Sequence, residues 1–301
     1  MQKRLPKSAR VADAVQGKRI TDRSLEIIAA IARYRFLRSR DIVRLVGGNE
    51  DVTHRHLQQL FHRDLANRFT LPTPRTGEFI YFLDNTTGLR QFAANGKIQE
   101  VALDWDGIKG NREKYRDTGT RSVGRFLFIE HELMISAFHA DLEMASRENT
   151  SVELDRWEQG ASIWNAVQLT KKESLPHRPD ALFSLRFPNA PEGQQRSNFV
   201  YEADRETSNM TRIRQKLEAH LAFFSQGLHV ERYGIRKMRA VLVETLSVTR
   251  AEQIKQLAAA LAAKEPLAGL LFWFSSTENC MSPFEHRWTC AADNRPRSLL
   301  D

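Results

Sequence analysis

The sequence predicts two folded domains of different class: an N-terminal winged helix-turn-helix, and a C-terminal α/β domain built on a mixed sheet. Three observations lead there. The 301 residues are about twice a usual domain length of roughly 150 residues. The first hundred residues carry three short amphipathic helices and then two β runs. The second half alternates in the order α-β-β-β-α-β-α-β, an order that a mixed sheet with helices on both faces accommodates.

Residues 1–20 hold Lys3, Arg4, Lys7 and Arg10 with little apolar periodicity, and read as a basic flexible arm. The winged helix is assigned to residues 21–95. Its first helix starts near Asp22 as N-cap, places Leu25, Ile28, Ile31 and Ala32 at helical spacing, and ends near Tyr34. Ser39 caps a second helix through Ile42, Val43, Leu45 and Val46. Gly47 and Gly48 stop it, because glycine tolerates the left-handed backbone of such turns. Asp51 caps a third helix, with Val52, His56, Leu57, Leu60, Phe61 and Leu65 on its inner side. Two β runs, Arg68 to Leu71 and Phe79 to Leu83, flank a turn containing Pro72, Pro74, Arg75 and Gly77. Helix Thr87 to Ala94 closes the module, and residues 96–123, polar and without a sustained period, form the linker.

The α/β domain is assigned to residues 124–301. It opens with a helix from about Arg125 to Arg147 and a strand at Val152 to Trp157. Strands follow at Asp180 to Phe187 and Asn198 to Asp204, then a helix from Asn209 to Ser225. A strand at Ala240 to Glu244, a helix at Ala251 to Ala263 and a strand at Leu270 to Phe274 complete the order. The aromatic run Phe272, Trp273 and Phe274 is expected in the core.

The net charge of +8 is unevenly spread. Residues 1–99 hold 18 Lys and Arg against 9 Asp and Glu, whereas residues 124–301 hold 22 against 23. A domain-sized basic excess attracts polyanions, of which nucleic acid is the commonest. No stretch reaches the ~18 apolar residues of a membrane helix, and no signal peptide is evident, so a cytoplasmic protein is expected. Cys280 and Cys290 belong to no zinc-binding pattern and read as reduced thiols. With no phosphate-binding glycine motif, no nucleotide cofactor is expected.

In a helix-turn-helix the second helix enters the major groove while flanking elements hold phosphates. The helix after Gly48 carries Thr53, His54, Arg55, Gln58, Gln59 and His62 away from its apolar stripe. Arg pairs with guanine, Gln with adenine, and Thr touches a thymine methyl. Arg38, Arg40, Arg44 and Arg75 are placed to meet phosphates. The partner expected is therefore double-stranded DNA.

In the second half, Glu202 and Asp204 lie two apart on one strand and share a face. Asp180, opening the adjacent strand, joins them. Carboxylates at neighbouring strand ends suit a hard cation such as Mg²⁺ or Mn²⁺, which activates water for phosphodiester cleavage. These three are the candidate metal ligands and catalytic acids.

At these residues the chain resembles the plasmid replication-relaxation proteins. The resemblance rests on TTGLRQFA (86–93), IEHELMISAFHADLE (129–143), RPDALFSL (178–185) and NFVYEADRETSNMTRIRQKLEAH (198–220), in that order, across residues 20–245. It implies a C-terminal core similar to the restriction-endonuclease-like fold, in which an Asp after a Pro precedes a Glu-x-Lys strand. Asp180 and Glu202 match the two acids, and Asp204 stands where the Lys belongs. Lys216 on the following helix is the candidate replacement, and Glu130 or His131 a further ligand. The resemblance implies an accessory protein of plasmid or mobile-element replication, relaxation or mobilisation, with a relaxase, a replication initiator or a second copy of the chain as protein partner. A metal-dependent nuclease or nickase and a winged-helix transcriptional regulator are the alternatives, and the missing Glu-x-Lys lysine favours the accessory role.

Overall fold

The computed structural model describes residues 10–11, 19–71, 78–94, 105–111 and 123–301. The chain divides into two compact units, Met1–Ala140 and Asp141–Asp301. The predicted turn with Arg75, most of the arm and most of the linker lie outside the described residues.

In the first unit, α1 (Asp22–Tyr34), α2 (Ser39–Val46) and α3 (Glu50–His62) bury Ile27, Ile28 and Ile31, then Ile42 and Leu45, then Leu57, Leu60 and Phe61. Those positions recur at helical spacing, which is why these segments coil as amphipathic helices. Three caps differ from the sequence assignment. Thr21, not Asp22, is the N-cap of α1, and Asp22 stands in its first turn. Asn49, not Asp51, caps α3, its side chain accepting from the Val52 amide at 3.1 Å. The start of α2 is capped from a distance: Glu78 accepts from the Ser39 hydroxyl at 3.3 Å and the Arg40 amide at 3.1 Å. Asp51 instead stands in the first turn, where a negative charge suits the helix dipole.

A three-stranded antiparallel sheet follows, in the order β1 (Leu37–Arg38), β3 (Phe79–Phe82), β2 (Asn67–Thr70). The two residues of β1 are too few to show a period in sequence. Helix α4 (Thr86–Ala94) comes next, and α5 (Trp105–Asn111) lies within the predicted linker. Helix α5 buries Ile108, and Asn111 donates to the Leu83 carbonyl at 3.1 Å, so this piece of the linker belongs to the unit. Helix α6 (Val123–Glu148) contains the division between the units. It falls later than residue 124 because Ile129 and Leu133 pack with Phe36, Ile80 and Phe82.

The second unit is a six-stranded mixed sheet in the order β11-β10-β9-β8-β7-β4. Strands β4 (Glu153–Gln159), β7 (Ala181–Arg186) and β8 (Arg196–Asp204) are antiparallel, β8, β9 (Ala240–Thr245) and β10 (Phe272–Ser276) are parallel, and β11 (Thr289–Cys290) is antiparallel to β10. Every residue of β9 and β10 is buried, as expected of parallel strands covered on both faces. Helices α7 (Met210–Ser225) and α9 (Val248–Ala262) pack with Leu182, Val200, Val241, Val243, Phe272 and Phe274. The hairpin β5 (Asn165–Gln168) and β6 (Ser174–His177) and the helices α8 (Leu228–Tyr233) and α10 (Leu267–Leu271) are short elements that periodicity did not reveal. No helix among the described residues is long and apolar enough to cross a membrane. Cys280 and Cys290 are free thiols, the first exposed and the second buried.

Candidate functional site

Two constellations carry chemistry, one in each unit. The first is the outer surface of α3. His54, Arg55 and Gln58 are exposed on one side of it, and Gln59 and His62 are half-buried at its margin. Thr53 corrects the sequence reading. It is fully buried, its hydroxyl donating to the Asn49 carbonyl at 3.3 Å and meeting Arg23 at 3.2 Å, so it has no path to a thymine methyl. One position earlier than His54 is already a rotation of about 100° on a helix, enough to turn Thr53 into the core.

The backbone under α3 is held by a residue that sequence reasoning passed over. Arg23 of α1 donates to the Val46 carbonyl at 2.5 Å and to the Gly47 carbonyl, and so clasps the turn between α2 and α3. Both glycines of that turn have positive φ, +66° at Gly47 and +73° at Gly48. Its signal was one arginine among the charged residues Asp22, Glu26 and Arg33 of an amphipathic helix, which alone reads as a solvated face. On α2, Arg40 and Arg44 are exposed, each 3.8 Å from the carboxylate of buried Asp41, and Arg38, at the end of β1, is half-buried. Burial pushes the Asp41 carboxyl up, with Arg40 and Arg38 opposing it. Part of the arm is seated on the end of α3. Arg10 donates to the Phe61 carbonyl at 2.9 Å and pairs with Asp64 at 2.9 Å, and the Val11 amide donates to His62 Nδ1 at 3.2 Å.

The second constellation lies where β7 begins and β8 ends. Strand alternation puts Val200, Glu202 and Asp204 on the face covered by α7 and α9. Asp180 Oδ2 accepts from the Ala203 amide at 2.9 Å, pinning the start of β7 to β8. Lys216 of α7, half-buried, stands 3.4 Å from Asp180 Oδ2 and in direct contact with Glu202 Oε2. Lys216 is thus brought from the helix to both carboxylates. Asp204 goes elsewhere: Arg250 Nε of α9 meets its Oδ2 at 2.6 Å, and Arg250 also donates to the Ser208 carbonyl at 2.6 Å. Glu130 and His131 belong to the first unit, and within the second unit Asp180 and Glu202 share Lys216.

Glu202 is only 4% exposed and has a base on each oxygen, Lys216 on Oε2 and His220 on Oε1. Burial pushes its carboxyl well up, and Lys216 pulls it back. Burial works against the Lys216 ammonium, but Asp180 and Glu202 more than offset it and hold its pKa above the usual lysine value. Behind His220, its Nδ1 meets His177 Nε2 at 2.9 Å, and His177 stacks on Phe223 with ring centres 3.9 Å apart. Both imidazoles are buried and kept neutral, His177 pushed down to about 2 and His220 to about 3. The spacing of Lys216 and His220, four residues apart on one helix face, was the signal for His220.

Chemically, Asp180 and Glu202 are two carboxylates with one compensating cation between them, the Lys216 ammonium. Among the described residues no group of three or more His, Cys, Asp or Glu side chains is arranged to hold a metal ion. The sequence model of the replication-relaxation family matches residues 28–237, a span that includes α2, α3, Asp180, Glu202, Asp204 and Lys216. No curated protein and no solved structure matches the chain.

Proposed function

The chain belongs to the replication-relaxation family, and from that premise we propose that it is a double-stranded-DNA-binding accessory protein in the replication, relaxation or mobilisation of a plasmid or other mobile element. The observation that carries the proposal is the outer surface of α3, where His54, Arg55 and Gln58 stand free of the core on a helix clasped by Arg23. In this reading α1 to α3 and the sheet β1-β3-β2 are a winged helix-turn-helix. Helix α3 enters the major groove, and Arg38, Arg40, Arg44 and the Arg75 turn meet phosphates. A relaxase or a replication initiator is the protein partner the family suggests.

The test is duplex binding by the full chain. Arg55→Ala and Gln58→Ala relax base preference at selected sites by about 1–3 kcal/mol each, whereas Arg40→Ala weakens all duplexes alike and lowers the salt slope by about 0.9. An unchanged selected-site motif for Arg55→Ala sinks the assignment of α3 as the reading helix.

The contact of Lys216 with both carboxylates favours a second reading, phosphodiester cleavage. The order α6-β4-β7-β8-α7-β9 is similar to the restriction-endonuclease-like core. Asp180 and Glu202 would hold Mg²⁺ or Mn²⁺, which when bound supplies Lewis acidity to a phosphodiester and its attacking water. Lys216 then neutralises and positions the acids, His220 orients Glu202, and the Arg250 pair keeps Asp204 out of the donor set. Nicking of supercoiled plasmid with Mg²⁺ that Asp180→Ala, Glu202→Ala and Lys216→Ala each end supports this reading. Wild-type protein that neither binds divalent metal nor nicks leaves the accessory role alone.

A further inference from the structure

We infer that the outer face of the β5–β6 hairpin is a binding platform for an unpaired DNA strand, with Trp164 as its base-stacking surface and Arg178, Lys171 and Lys172 as its phosphate contacts. Hairpin side chains alternate: Ile163, Val167 and His177 are buried, whereas Trp164, Ala166, Gln168, Ser174, Pro176 and Arg178 are exposed. Asn165 pairs with His177, so one step further on Trp164 faces Arg178 across the two strands. The guanidinium lies 5.3 Å from the indole ring centre, and Trp164 keeps 48% of its surface exposed.

A single exposed aromatic is ordinary. The surroundings make this one a site. Its backbone is fixed on both sides, because Tyr233 donates to the Ile163 carbonyl at 2.7 Å and accepts from Asn165 at 3.2 Å. Gln226 at the end of α7 donates to the Gln168 carbonyl at 2.8 Å and holds the far end of β5. A ring on so rigid a base loses little freedom when a nucleobase stacks on it. Between the indole and the turn, the outer strand face carries only Ala166, Gln168, Ser174 and Pro176, with no carboxylate to repel a phosphate, and in the turn exposed Glu173 offsets one of the two lysine charges. Among the described residues Arg178, Lys171 and Lys172 make no ion pair, so their charge is available. A strand residue rises about 3.3 Å, which sets the lysine turn roughly 17 Å from the indole, enough for a short run of nucleotides. Aromatic stacking combined with a cationic track is how proteins hold single strands without regard to sequence. Arg178 is joined through Pro179 to Asp180, so the platform delivers an unpaired strand beside the carboxylate pair.

The site is on the second unit and does not depend on duplex binding by α3. The full chain is titrated into fluorescein-labelled oligothymidylate of roughly 12 nucleotides, into oligouridylate of the same length and into a duplex. Trp164→Ala weakens oligothymidylate binding about ten-fold or more, Trp164→Phe retains most of it, and Arg178→Ala weakens it and flattens its salt dependence. All three leave duplex affinity and melting temperature unchanged, and Arg55→Ala does the reverse, sparing oligothymidylate. Equal oligothymidylate affinity for wild type and Trp164→Ala, at equal melting temperature, overturns the platform while leaving the α3 reading untouched. Tighter binding of oligouridylate than of oligothymidylate overturns the assignment to DNA.

Discussion

Glu202 has a lysine on one oxygen and a histidine on the other, and the two side chains do different work. Lys216 compensates charge. His220 is kept neutral by burial and fixes the orientation of the carboxyl, backed by His177. Buried neutral imidazoles have a cost in acid. The folded pKa of His177 lies near 2 against 6.5 for the ordinary side chain, so below pH ~6.5 the unfolded chain takes up a proton that the folded chain refuses. Stability associated with His177 is therefore full above ~6.5 and falls as the pH drops toward its folded value, by at most about 1.4 kcal/mol per pH unit. Glu202, raised by burial, works in the opposite sense. The wild type is therefore compared with His177→Gln, whose unfolding free energy between pH 6.5 and ~4 is expected to fall less steeply in urea titrations. Parallel slopes for the two proteins contradict the neutral assignment. Asp180 and Glu202 were legible in the sequence because their chemistry is local to two strand ends, whereas Lys216 was named only through the family resemblance. His177 was not legible, because a lone histidine among apolar residues reads as ordinary core.

At the scale of elements, the turn between α2 and α3 sets how the outer surface of α3 is presented. Gly47 combines φ +66° with ψ −168°, a region essentially closed to residues with a side chain and costing of order 1–3 kcal/mol to force. No atom lies within 4 Å of the place a Cβ would occupy, so the penalty at Gly47 is backbone strain alone. Gly47→Ala is expected to lower stability by that amount and to weaken duplex binding by shifting α3, with urea unfolding and anisotropy as readouts. Arg23→Ala is expected to weaken duplex binding in the same way, since it removes the clasp on Val46 and Gly47 without touching the exposed surface. Unchanged duplex affinity in both variants would separate α3 from DNA binding. The long helices and strands stood out in the sequence through their period. The elements missed, β1, α5, β5, β6, α8, α10 and β11, are each seven residues or fewer, too short for a period to emerge.

For the whole molecule, the division inside α6 changes where the chain can be cut. A fragment ending near residue 99 lacks Ile129 and Leu133, which pack with Phe36, Ile80 and Phe82. Two buried aliphatic side chains are worth about 1.5–3 kcal/mol each, a large share of the 5–15 kcal/mol typical of a domain. Residues 1–140 are therefore expected to unfold cooperatively and residues 1–99 to melt broadly or at markedly lower temperature, as circular dichroism will register. Equal melting of the two fragments contradicts the role of α6 in the first unit. The sequence by itself determined the order of the elements, the basic bias of the first hundred residues, the family resemblance and the pairing of Asp180 with Glu202, because each is written in local pattern or composition. Tertiary structure alone decided that Thr53 is core, that Arg250 takes Asp204, that Lys216 reaches both carboxylates and that Trp164 faces Arg178. Those outcomes depend on helix rotation and strand register, which bring together side chains far apart in the chain and leave no trace in the pattern of either segment alone.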